Sequence, residues 1–204
     1  PNYKITLVND LSIELQPGEG LLIMGASGCG KSSILRAIAG LWNSGTGTIY
    51  RPPLAEILFL PQRPYLILGS LRDQLLYPRT DLNISDAKIY QALEEVNLPD
   101  LAARFGGLEI VQNWDSVLSM GEQQRVAFAR LLLTKPRYAI LDEATSALDV
   151  ENEQGLYQHL QTLSTTYISV GHRPTLLQYH HQVLEVFGDQ TWQVSDRATY
   201  KSEA

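Results

Sequence analysis

A glycine-rich segment followed by a lysine and a serine is the part of the sequence best suited to bind phosphate. Residues 25–32 read GASGCGKS and fit the pattern G-x-x-x-x-G-K-[ST]. Glycines let several backbone N–H groups converge on a phosphate, and the dipole of a following helix adds positive potential. Lys31 would reach the β- and γ-phosphates of a nucleoside triphosphate, and the Ser32 hydroxyl would bind Mg²⁺. Only the backbone would bind at Cys29, so we expect its side chain to be a small filler.

Two adjacent carboxylates follow an apolar stretch, in RYAILDEAT at 137–145. At the end of a strand, Asp142 would orient the magnesium shell, which is the role that phosphate-loop enzymes give to this position. Glu143 would then face the γ-phosphate and polarise water as a general base, an effect worth typically ~10²–10⁴ in rate. Taken alone, an acidic pair after a strand is more often a solvated edge or a helix cap. The phosphate loop favours the catalytic interpretation.

Two further polar residues follow predicted strands. His172 ends the segment ISVGH, and Gln62 lies in LFLPQRPY. The carboxyl ends of parallel strands gather around a ligand crevice, so His172 could hydrogen-bond the γ-phosphate and sense its departure. The Gln62 amide could contact Mg²⁺ or the attacking water, while its backbone acts as a hinge between lobes. Considered singly, His172 would more often be structural and Gln62 an ordinary turn residue.

A second segment is also suited to hold an anion. Residues 118–125 read LSMGEQQR, in which Ser119 and the backbone of Gly121 precede a run with helical spacing. The N-terminus of a helix attracts anions through its dipole and its unpaired N–H groups. One small chain therefore carries two candidate phosphate-binding devices, and a single-site enzyme would need only one.

Length and charge limit the classes of function that the chain can serve. The 204 residues are 44% apolar, enough for one sizeable domain with a proper core. The net charge of −6, without a cluster of Lys or Arg, argues against general attraction to nucleic acid. A single cysteine excludes an internal disulfide, and no apolar stretch approaches the ~20 residues that span a bilayer. Because the chain starts at Pro1 and enters a strand pattern almost at once, we expect a domain cut from a longer polypeptide.

The elements that must position these residues alternate between strand and helix patterns. The alternating residues 4–15 predict two strands or one bent strand, and LLIM at 21–24 predicts a strand buried on both faces. The helical ILRAIAG follows the phosphate loop, with Gly40 as its stop. A further strand pair is predicted in GTIY at 47–50 and AEILFLP at 55–61. A strand before and a helix after GASGCGKS disfavour the alternative of a chance glycine-rich turn.

From Arg63 to Arg130 the pattern becomes helical, and afterwards strands return. The predicted helices are SLRDQLLY at 70–77, SDAKIYQALEEV at 85–96 with a Ser85 cap, GEQQRVAFARLLL at 121–133 and ENEQGLYQHLQTL at 151–163; the predicted strands are RYAILD at 137–142, TTYISV at 165–170 and QVLEVF at 182–187. Strands that alternate with helices predict a mostly parallel sheet covered on both faces. An inserted helical lobe interrupts it.

The motifs, taken in order, resemble the nucleotide-binding domain of ATP-binding-cassette (ABC) transporters. The segments that carry the resemblance are GASGCGKS, Gln62, LSMGEQQR, AILDEAT, SALD at 146–149 and His172. The resemblance covers nearly the whole chain. CGKSSILRAIAGLW, LPQRPY and LRDQLLYP look more narrowly like the branch of peroxisomal acyl-CoA half-transporters and their bacterial relatives.

The resemblance implies an α/β P-loop NTPase fold, RecA-like, with a mostly parallel sheet, an antiparallel β subdomain and an inserted α-helical lobe. It implies one ABC ATPase domain over 1–204, with 1–62 and 127–204 as the nucleotide-binding core. Residues 63–126 would form the helical subdomain, which contains LSMGEQQR as the signature motif. Its cofactors would be ATP and Mg²⁺. Its activity would be ATP hydrolysis that powers transport, at the cytoplasmic face of a membrane such as the bacterial inner membrane, as a peripheral domain of an integral membrane protein.

Residue roles follow from the same resemblance. Catalysis would use Glu143, His172 and Gln62; Mg²⁺ would be held by Ser32, Gln62 and Asp142; and ATP would be bound by Gly25, Ala26, Ser27, Gly28, Cys29, Gly30, Lys31, Ser32, Ser33, Tyr3, Ser119, Gly121 and Glu122. The aromatic that stacks on adenine would be Tyr3 or Tyr77. Met120 departs from the family pattern, which has glycine there, and Met would be costly if this position needed φ > 0.

The resemblance also answers why there are two phosphate-binding devices. In this family two cassettes pair head to tail, so that Ser119 and the Gly121 amide of one copy would contact the γ-phosphate held by the other, beside Ser146 to Asp149. The second copy could be identical or a paired half-transporter. A transmembrane domain, carried upstream of Pro1 on the same polypeptide, would be the other partner.

Two alternatives belong to other classes of protein. A cassette ATPase that clamps DNA usually has a very long coiled coil between the phosphate loop and the signature, and the acidic chain shows no heptads there and no sign of binding nucleic acid. A phosphotransferase for a small metabolite would not explain LSMGEQQR or SALD.

Overall fold

The computed structural model describes residues 6–42 and 44–200. Its strands are β1 (Gly20–Met24), β2 (Ile57–Leu60), β3 (Gly69–Ser70), β4 (Val111–Gln112), β5 (Tyr138–Asp142), β6 (Thr166–Val170), β7 (Gln182–Val186) and β8 (Trp192–Asp196). Its α-helices are α1 (Lys31–Ile38), α2 (Leu71–Leu76), α3 (Asp86–Glu95), α4 (Leu101–Phe105), α5 (Trp114–Val117), α6 (Met120–Thr134) and α7 (Val150–Thr162). Short 3₁₀ helices occupy Leu54–Glu56 and Pro174–Tyr179.

The main sheet has the strand order β2-β5-β6-β1-β7-β8. β1 pairs in parallel with β6 on one side and β7 on the other, and β5 pairs in parallel with β6. β8 pairs antiparallel with β7, and β3 and β4 form a separate antiparallel pair. The central place of β1 explains why its sequence GLLIM is apolar at successive positions, since both of its faces are covered. The expected α/β fold, mostly parallel with a smaller antiparallel part, is confirmed.

The described residues group into two compact units. Of the described residues, the first unit takes in 6–42, 44–59, 137–143 and 164–200, and the second takes in 60–136 and 144–163. The core of the first unit surrounds β1 and α1 and contains Leu21, Ile23, Ile34, Leu35, Val170, Leu184 and Val186. In the second unit α2 and α3 pack on α6. Its buried side chains include Leu71, Leu75, Leu93, Val126, Phe128, Leu131 and Tyr157.

Most long elements lie where the sequence predicts them, and two predicted strands do not. Within 6–15 the structure has a single bridge between Val8 and Gln190, so the strand predicted over 4–15 is wrong for its described part. The strand predicted for GTIY at 47–50 is also wrong: the segment is irregular, and Ile49 and Tyr50 are exposed. Alternation indicates a strand only when a neighbouring strand satisfies its backbone groups. β8 was not predicted.

The helix ends agree with the sequence signals in part. α1 stops at Ile38, and Gly40 follows it with φ +73°, as expected for a glycine after a helix. Ser85 stands at the N-cap of α3 as predicted, but its side chain makes no capping hydrogen bond. No helix in the described ranges has the length and apolar character needed to cross a bilayer.

Candidate functional site

The loop between β1 and α1 adopts a conformation that only glycine permits at its start. Gly25 has φ +141°, and a Cβ there would lie 2.2 Å from the Val186 carbonyl oxygen. Gly30 forms the N-cap of α1 with φ +108°. Ala26, Ser27 and Gly28 between them are exposed. The loop is therefore anchored at both ends and presents its backbone to solvent.

The N-terminus of α1 is built without a side-chain cap. Its N-cap residue, Gly30, makes no side-chain hydrogen bond to the first turn, where the N–H groups of Lys31, Ser32 and Ser33 lie. These N–H groups have no intrahelical acceptor, and the helix dipole makes this end positive. Lys31 is 5% exposed, and its Nζ donates to the carbonyl oxygens of Gly25 and Ala26, each at 2.8 Å. An ammonium group and several N–H donors thus converge on the inside of the loop.

Ser32 and Asp142 form the second part of the site. The Ser32 hydroxyl donates to Asp142 Oδ1 at 2.9 Å, which joins the first turn of α1 to the carboxyl end of β5. Burial raises the pKa of Asp142, and the negative charge of Glu143 adds to this. The bond from Ser32 and the charges of Arg36 and Lys31 oppose the rise without reversing it. A cation at this carboxylate would relieve the cost of burying its charge.

The Ser32 and Asp142 oxygens fit magnesium better than a metal that needs a complete protein cage. Among residues 6–42 and 44–200, no group of three or more His, Cys, Asp or Glu side chains could hold a metal. Mg²⁺ prefers hard oxygen ligands and is usually bound by one or two side chains, waters and substrate phosphates. The hydrogen-bonded Ser32 and Asp142 supply a hydroxyl and a carboxylate of that kind.

Glu143 and His172 meet at the next position along the same edge of the sheet. His172 Nε2 lies 3.1 Å from Glu143 Oε1. The Glu143 backbone has φ +51°, unusual for a residue with a side chain, and its N–H donates to the Val170 carbonyl oxygen at 3.1 Å. Left-handed backbone of this kind costs of order 1–3 kcal/mol and is concentrated at functional sites. The sequence indicated that both residues follow neighbouring strands, but the bond between them appears only in the structure.

Ser119 begins α6 with a complete capping box. Its side chain accepts from the Glu122 N–H, while Glu122 Oε2 accepts from the Ser119 N–H at 2.8 Å and from the Ser119 hydroxyl at 3.0 Å. Arg104 on α4 forms an ion pair with the other Glu122 oxygen. Burial would raise the pKa of Glu122, but the bonds from Arg104 and Ser119 together lower it. The N-terminus of α6 therefore has internal partners, unlike that of α1.

Met120 and Gly121 show how the signature segment tolerates its unusual residue. Met120 is the first residue of α6 and is not among the residues with positive φ, so the position does not require glycine for its backbone. At Gly121 a Cβ would lie 3.2 Å from the Ala147 carbonyl oxygen, tighter than most contacts of this kind. A side chain is thus crowded at 121, where α6 approaches the Ala147 carbonyl, and the backbone at 120 does not require glycine.

Gln124 is a residue of the second unit that sequence reasoning missed. Its side chain is fully buried on α6. Its Nε2 donates to the Gln62 carbonyl oxygen at 2.8 Å and to Ser146 Oγ at 3.2 Å, and its Oε1 accepts from the Ala147 N–H at 3.0 Å. A signal existed: at helical spacing Gln124 shares a face with the apolar Phe128 and Leu131, where an amide is out of place unless it is bonded.

The remaining predicted site residues divide between the units. Cys29 is 8% exposed and packs beside Gly188, in agreement with its predicted role as a small filler. Gln62 is exposed in the second unit. Tyr77, also in that unit, lies under the Arg130 guanidinium at 5.3 Å and near the Tyr65 ring at 5.8 Å. Tyr3 lies outside the described residues.

Comparison with known proteins identifies close relatives. A family model described as ABC transporter matches residues 8–146. An uncharacterised ABC transporter ATP-binding protein of Synechocystis sp. is 63% identical over 195 residues, covering 96% of this chain and 30% of that protein. The chloroplastic ABC transporter D family member 2 of Arabidopsis thaliana is 42% identical over 247 residues, covering 96% of this chain and 35% of that protein.

A solved structure shares the fold. The structure of a bacterial Atm1-family ABC exporter with ATP bound superposes with a TM-score of 0.80 at 26% identity, covering 94% of this chain and 36% of the exporter chain. This chain therefore spans about a third of the length of the relatives that it matches.

Proposed function

The chain belongs to the ABC transporter family, and from this premise we propose that it binds and hydrolyses ATP to power a membrane transporter. It is a nucleotide-binding domain of that family, and the predicted likeness to the branch of peroxisomal half-transporters and their bacterial relatives is confirmed. ATP-binding domains of ABC transporters are ATPases coupled to transport. Because the chain spans only 30–35% of the length of the relatives named above, transport belongs to a larger assembly. The relatives are transporters, which disfavours the DNA-acting alternative.

The observation that carries the ATPase proposal is the paired arrangement at the carboxyl edge of the main sheet. The Ser32 side chain is hydrogen-bonded to Asp142, and the Glu143 side chain is hydrogen-bonded to His172. Glu143 acts as general base on a water beside the γ-phosphate, and His172 orients the Glu143 carboxylate and binds the same phosphate. Lys31 and the first turn of α1 hold the phosphates. Tyr3 stacks on adenine in this proposal, because the Tyr77 ring already packs against Arg130 and Tyr65.

Magnesium would be held by Ser32 and Asp142, with Gln62 as a further oxygen ligand. Bound there with the triphosphate, it would neutralise charge that develops on the phosphate oxygens. The chain's own contribution is the orientation of the Ser32 hydroxyl by Asp142 at 2.9 Å. The raised pKa of Asp142, caused first by burial, fits a carboxylate that is completed by a cation.

A second copy of a cassette completes the reaction site. Ser119, Gly121 and Glu122 of one copy bind the γ-phosphate that the phosphate loop of the other copy holds, and residues 146–149 line the same interface. Each charge-assisted hydrogen bond contributes ~1.5–3 kcal/mol, so loss of the γ-phosphate removes enough of them to open the pair. ATP closes the dimer and hydrolysis releases it.

The helical part of the chain provides the surface for a membrane partner. We assign 1–204 to a single ABC ATPase domain, with 1–62 and 127–204 as its core and 63–126 as the helical subdomain. A surface depression in the second unit is lined by Arg63, Pro64, Tyr65, Leu66 and Asp115, with Tyr65 64% exposed and nearby Leu68 92% exposed. Exposed aromatic and aliphatic side chains with a polar rim suit a docked helix of a transmembrane domain on the same polypeptide. The assembly would lie at the cytoplasmic face of a bacterial inner membrane.

The test of this function is the dependence of ATP hydrolysis on the concentration of the purified chain. If two copies build each site, the rate per chain rises with chain concentration and reaches a plateau. The amount of ATP bound per chain should depend less on chain concentration than the hydrolysis rate does, because the phosphate loop of a single copy binds nucleotide without a partner. A rate per chain that is constant over a wide concentration range, measured on a chain shown to be monomeric, would contradict the shared site.

A further inference from the structure

Gln124 connects three segments of the second unit through one buried amide. Its Nε2 donates to the Gln62 carbonyl oxygen and to Ser146 Oγ, and its Oε1 accepts from the Ala147 N–H, over 2.8, 3.2 and 3.0 Å. An amide offers two donors and an acceptor oxygen, and here both functions are in use. The Gln124 side chain is fully buried, and its three partners belong to exposed residues, so the amide ties surface segments to the interior of the helix.

The helix that carries Gln124 also carries the start of the signature segment. Gln124 lies one turn after Met120, where α6 begins, and Ser119 caps the same helix. A helix turn is a stiff unit, so the positions of Ser119 and Gln124 are linked. The loop at 146–147 meets α6 a second time, where a Cβ at Gly121 would lie 3.2 Å from the Ala147 carbonyl oxygen.

We propose that Gln124 is a positioning residue that couples the Gln62 backbone and the loop at 146–147 to the N-terminus of α6. The inference rests on the proposed function. A γ-phosphate from the partner copy that binds at Ser119 and Gly121 would displace the start of α6. Through Gln124 the same displacement would reach Gln62, the predicted hinge and magnesium ligand, and Ser146, in the predicted dimer interface.

Only an amide satisfies these partners together. Glutamate keeps the oxygen that accepts from Ala147, but it turns a carboxylate oxygen toward the Gln62 carbonyl oxygen. Methionine has a similar length and shape but removes both the donors and the acceptor. Gln124→Glu therefore removes the hydrogen bond to Gln62 and keeps the one from Ala147, whereas Gln124→Met removes both.

The chain supplies a matched control at the neighbouring position. Gln123 is also buried, at 3% exposed, on the same helix. Its Nε2 donates to the carbonyl oxygens of Asp115 and Leu118, at 3.2 and 3.1 Å, both in the segment that precedes α6. Changes of Gln123 therefore remove comparable buried hydrogen bonds without touching Gln62 or the loop at 146–147.

The first measurement is hydrogen exchange of the full-length protein by mass spectrometry without nucleotide. Gln124→Met should raise the exchange rate of the Ala147 amide by about tenfold or more, since that amide loses its hydrogen-bond acceptor. Gln124→Glu should leave that amide protected, because its acceptor remains. Gln123→Met and Gln123→Glu should leave it unchanged.

The second measurement is the kcat and KM of ATP hydrolysis across pH. Gln124→Glu should lower kcat at least about tenfold near pH 8.5, with little change in KM. Near pH 6.5 its kcat should recover toward the wild-type value, because a buried glutamate has a raised pKa and its protonated form donates a hydrogen bond again. Counted per folded molecule, Gln123→Glu should keep kcat within about a factor of two across the same range, because its partners lie outside Gln62 and the loop at 146–147. A purely structural role for Gln124 would lower kcat only as far as the variant unfolds, which circular dichroism of the same samples would show.

The outcomes separate this inference from the proposed function. Equal effects of the 123 and 124 variants, or normal exchange in Gln124→Met, would overturn the coupling. Wild-type protein without ATPase activity would overturn the proposed function, and the exchange difference between positions 123 and 124 would then decide the coupling alone.

Discussion

The two helix N-termini that follow the glycine-containing motifs are built in opposite ways. α1 begins at Gly30 without a side-chain cap, so its first N–H groups face outward into the loop. α6 begins at Ser119 with a full capping box, and the carboxylate of Glu122 also holds Arg104. The first arrangement is the one that suits an incoming anion. The second already has an internal anion, the Glu122 carboxylate.

This difference assigns unequal tasks to the two motifs. A phosphate that enters the loop before α1 displaces only water and the Lys31 contacts with loop carbonyls. A phosphate that reaches Ser119 must share or replace hydrogen bonds with Glu122, so the net gain there is smaller. We therefore expect nucleotide to bind first and tightly at α1, and the signature of a second copy to add a weaker contact. Four predictions test this order.

The largest effect is expected at Glu143, beside the site of α1. Glu143→Gln removes the general base but keeps the shape and the neighbouring phosphate loop, so ATP hydrolysis should fall by ~10²–10⁴ while ATP binding persists. Steady-state ATPase assays and equilibrium binding measure the two quantities. Glu185→Gln, on β7, is the control and should hydrolyse ATP normally. Undiminished hydrolysis in Glu143→Gln would refute the base assignment.

The next effect concerns Lys31 and the strength of the first site. Lys31→Met removes charged hydrogen bonds to the phosphates worth ~1.5–3 kcal/mol, so ATP affinity should fall by about 10- to 100-fold. Titration with a fluorescent ATP analogue would measure the affinity. Lys88→Met, at an exposed position of α3, serves as the comparison. Equal losses in both variants would mean that overall charge, and not the loop, attracts the nucleotide.

A smaller effect is expected at Ser119. Ser119→Ala removes the cap of α6, which should lower the free energy of unfolding by about 1 kcal/mol, and removes a γ-phosphate donor at the dimer interface. ATP affinity of the isolated chain should stay near wild type, while ATP-driven dimerisation weakens. Light scattering with and without ATP would measure this. Ser116→Ala, at an exposed serine bonded to the Asn113 carbonyl, should leave dimerisation intact. A loss of ATP affinity in Ser119→Ala would break the proposed division of tasks.

The smallest effect concerns the ion pair of Arg104 and Glu122. Arg104→Gln should lower the free energy of unfolding by less than about 1 kcal/mol, since the pair is partly exposed. The pKa of Glu122 is lowered in the folded protein. The ion pair therefore stabilises the fold at pH values above the ordinary carboxyl pKa, and this contribution is lost as the pH falls through the lowered pKa. Urea unfolding at pH about 7 and about 3 should show the difference between wild type and variant shrinking in acid. Arg79→Gln, which breaks the exposed pair with Asp81, should cost nothing measurable.

Local sequence was sufficient for the elements whose signals are complete within a short window. The strand LLIM, the loop GASGCGKS and the helix that follows are adjacent in sequence, so their geometry depends little on distant residues. GTIY at 47–50 was predicted wrongly because alternation is a weak signal, and a strand forms only where a partner strand lies beside it. The Ser119–Glu122 cap also lies within one turn, but its pairing with Arg104 does not, and no pattern in the sequence indicates that pairing.

The sequence alone determined which chemical groups are candidates for the site: a lysine for phosphate, a serine and an aspartate for magnesium, a glutamate as proposed general base and a second helix suited to an anion. The tertiary structure decided which of them meet. It joined Ser32 to Asp142, Glu143 to His172 and Gln124 to three separate segments, and it gave one helix N-terminus an internal anion and left the other open. The reason is physical: hydrogen bonds act over about 3 Å, and residues far apart in sequence come within that distance only when strand order and helix packing bring them together.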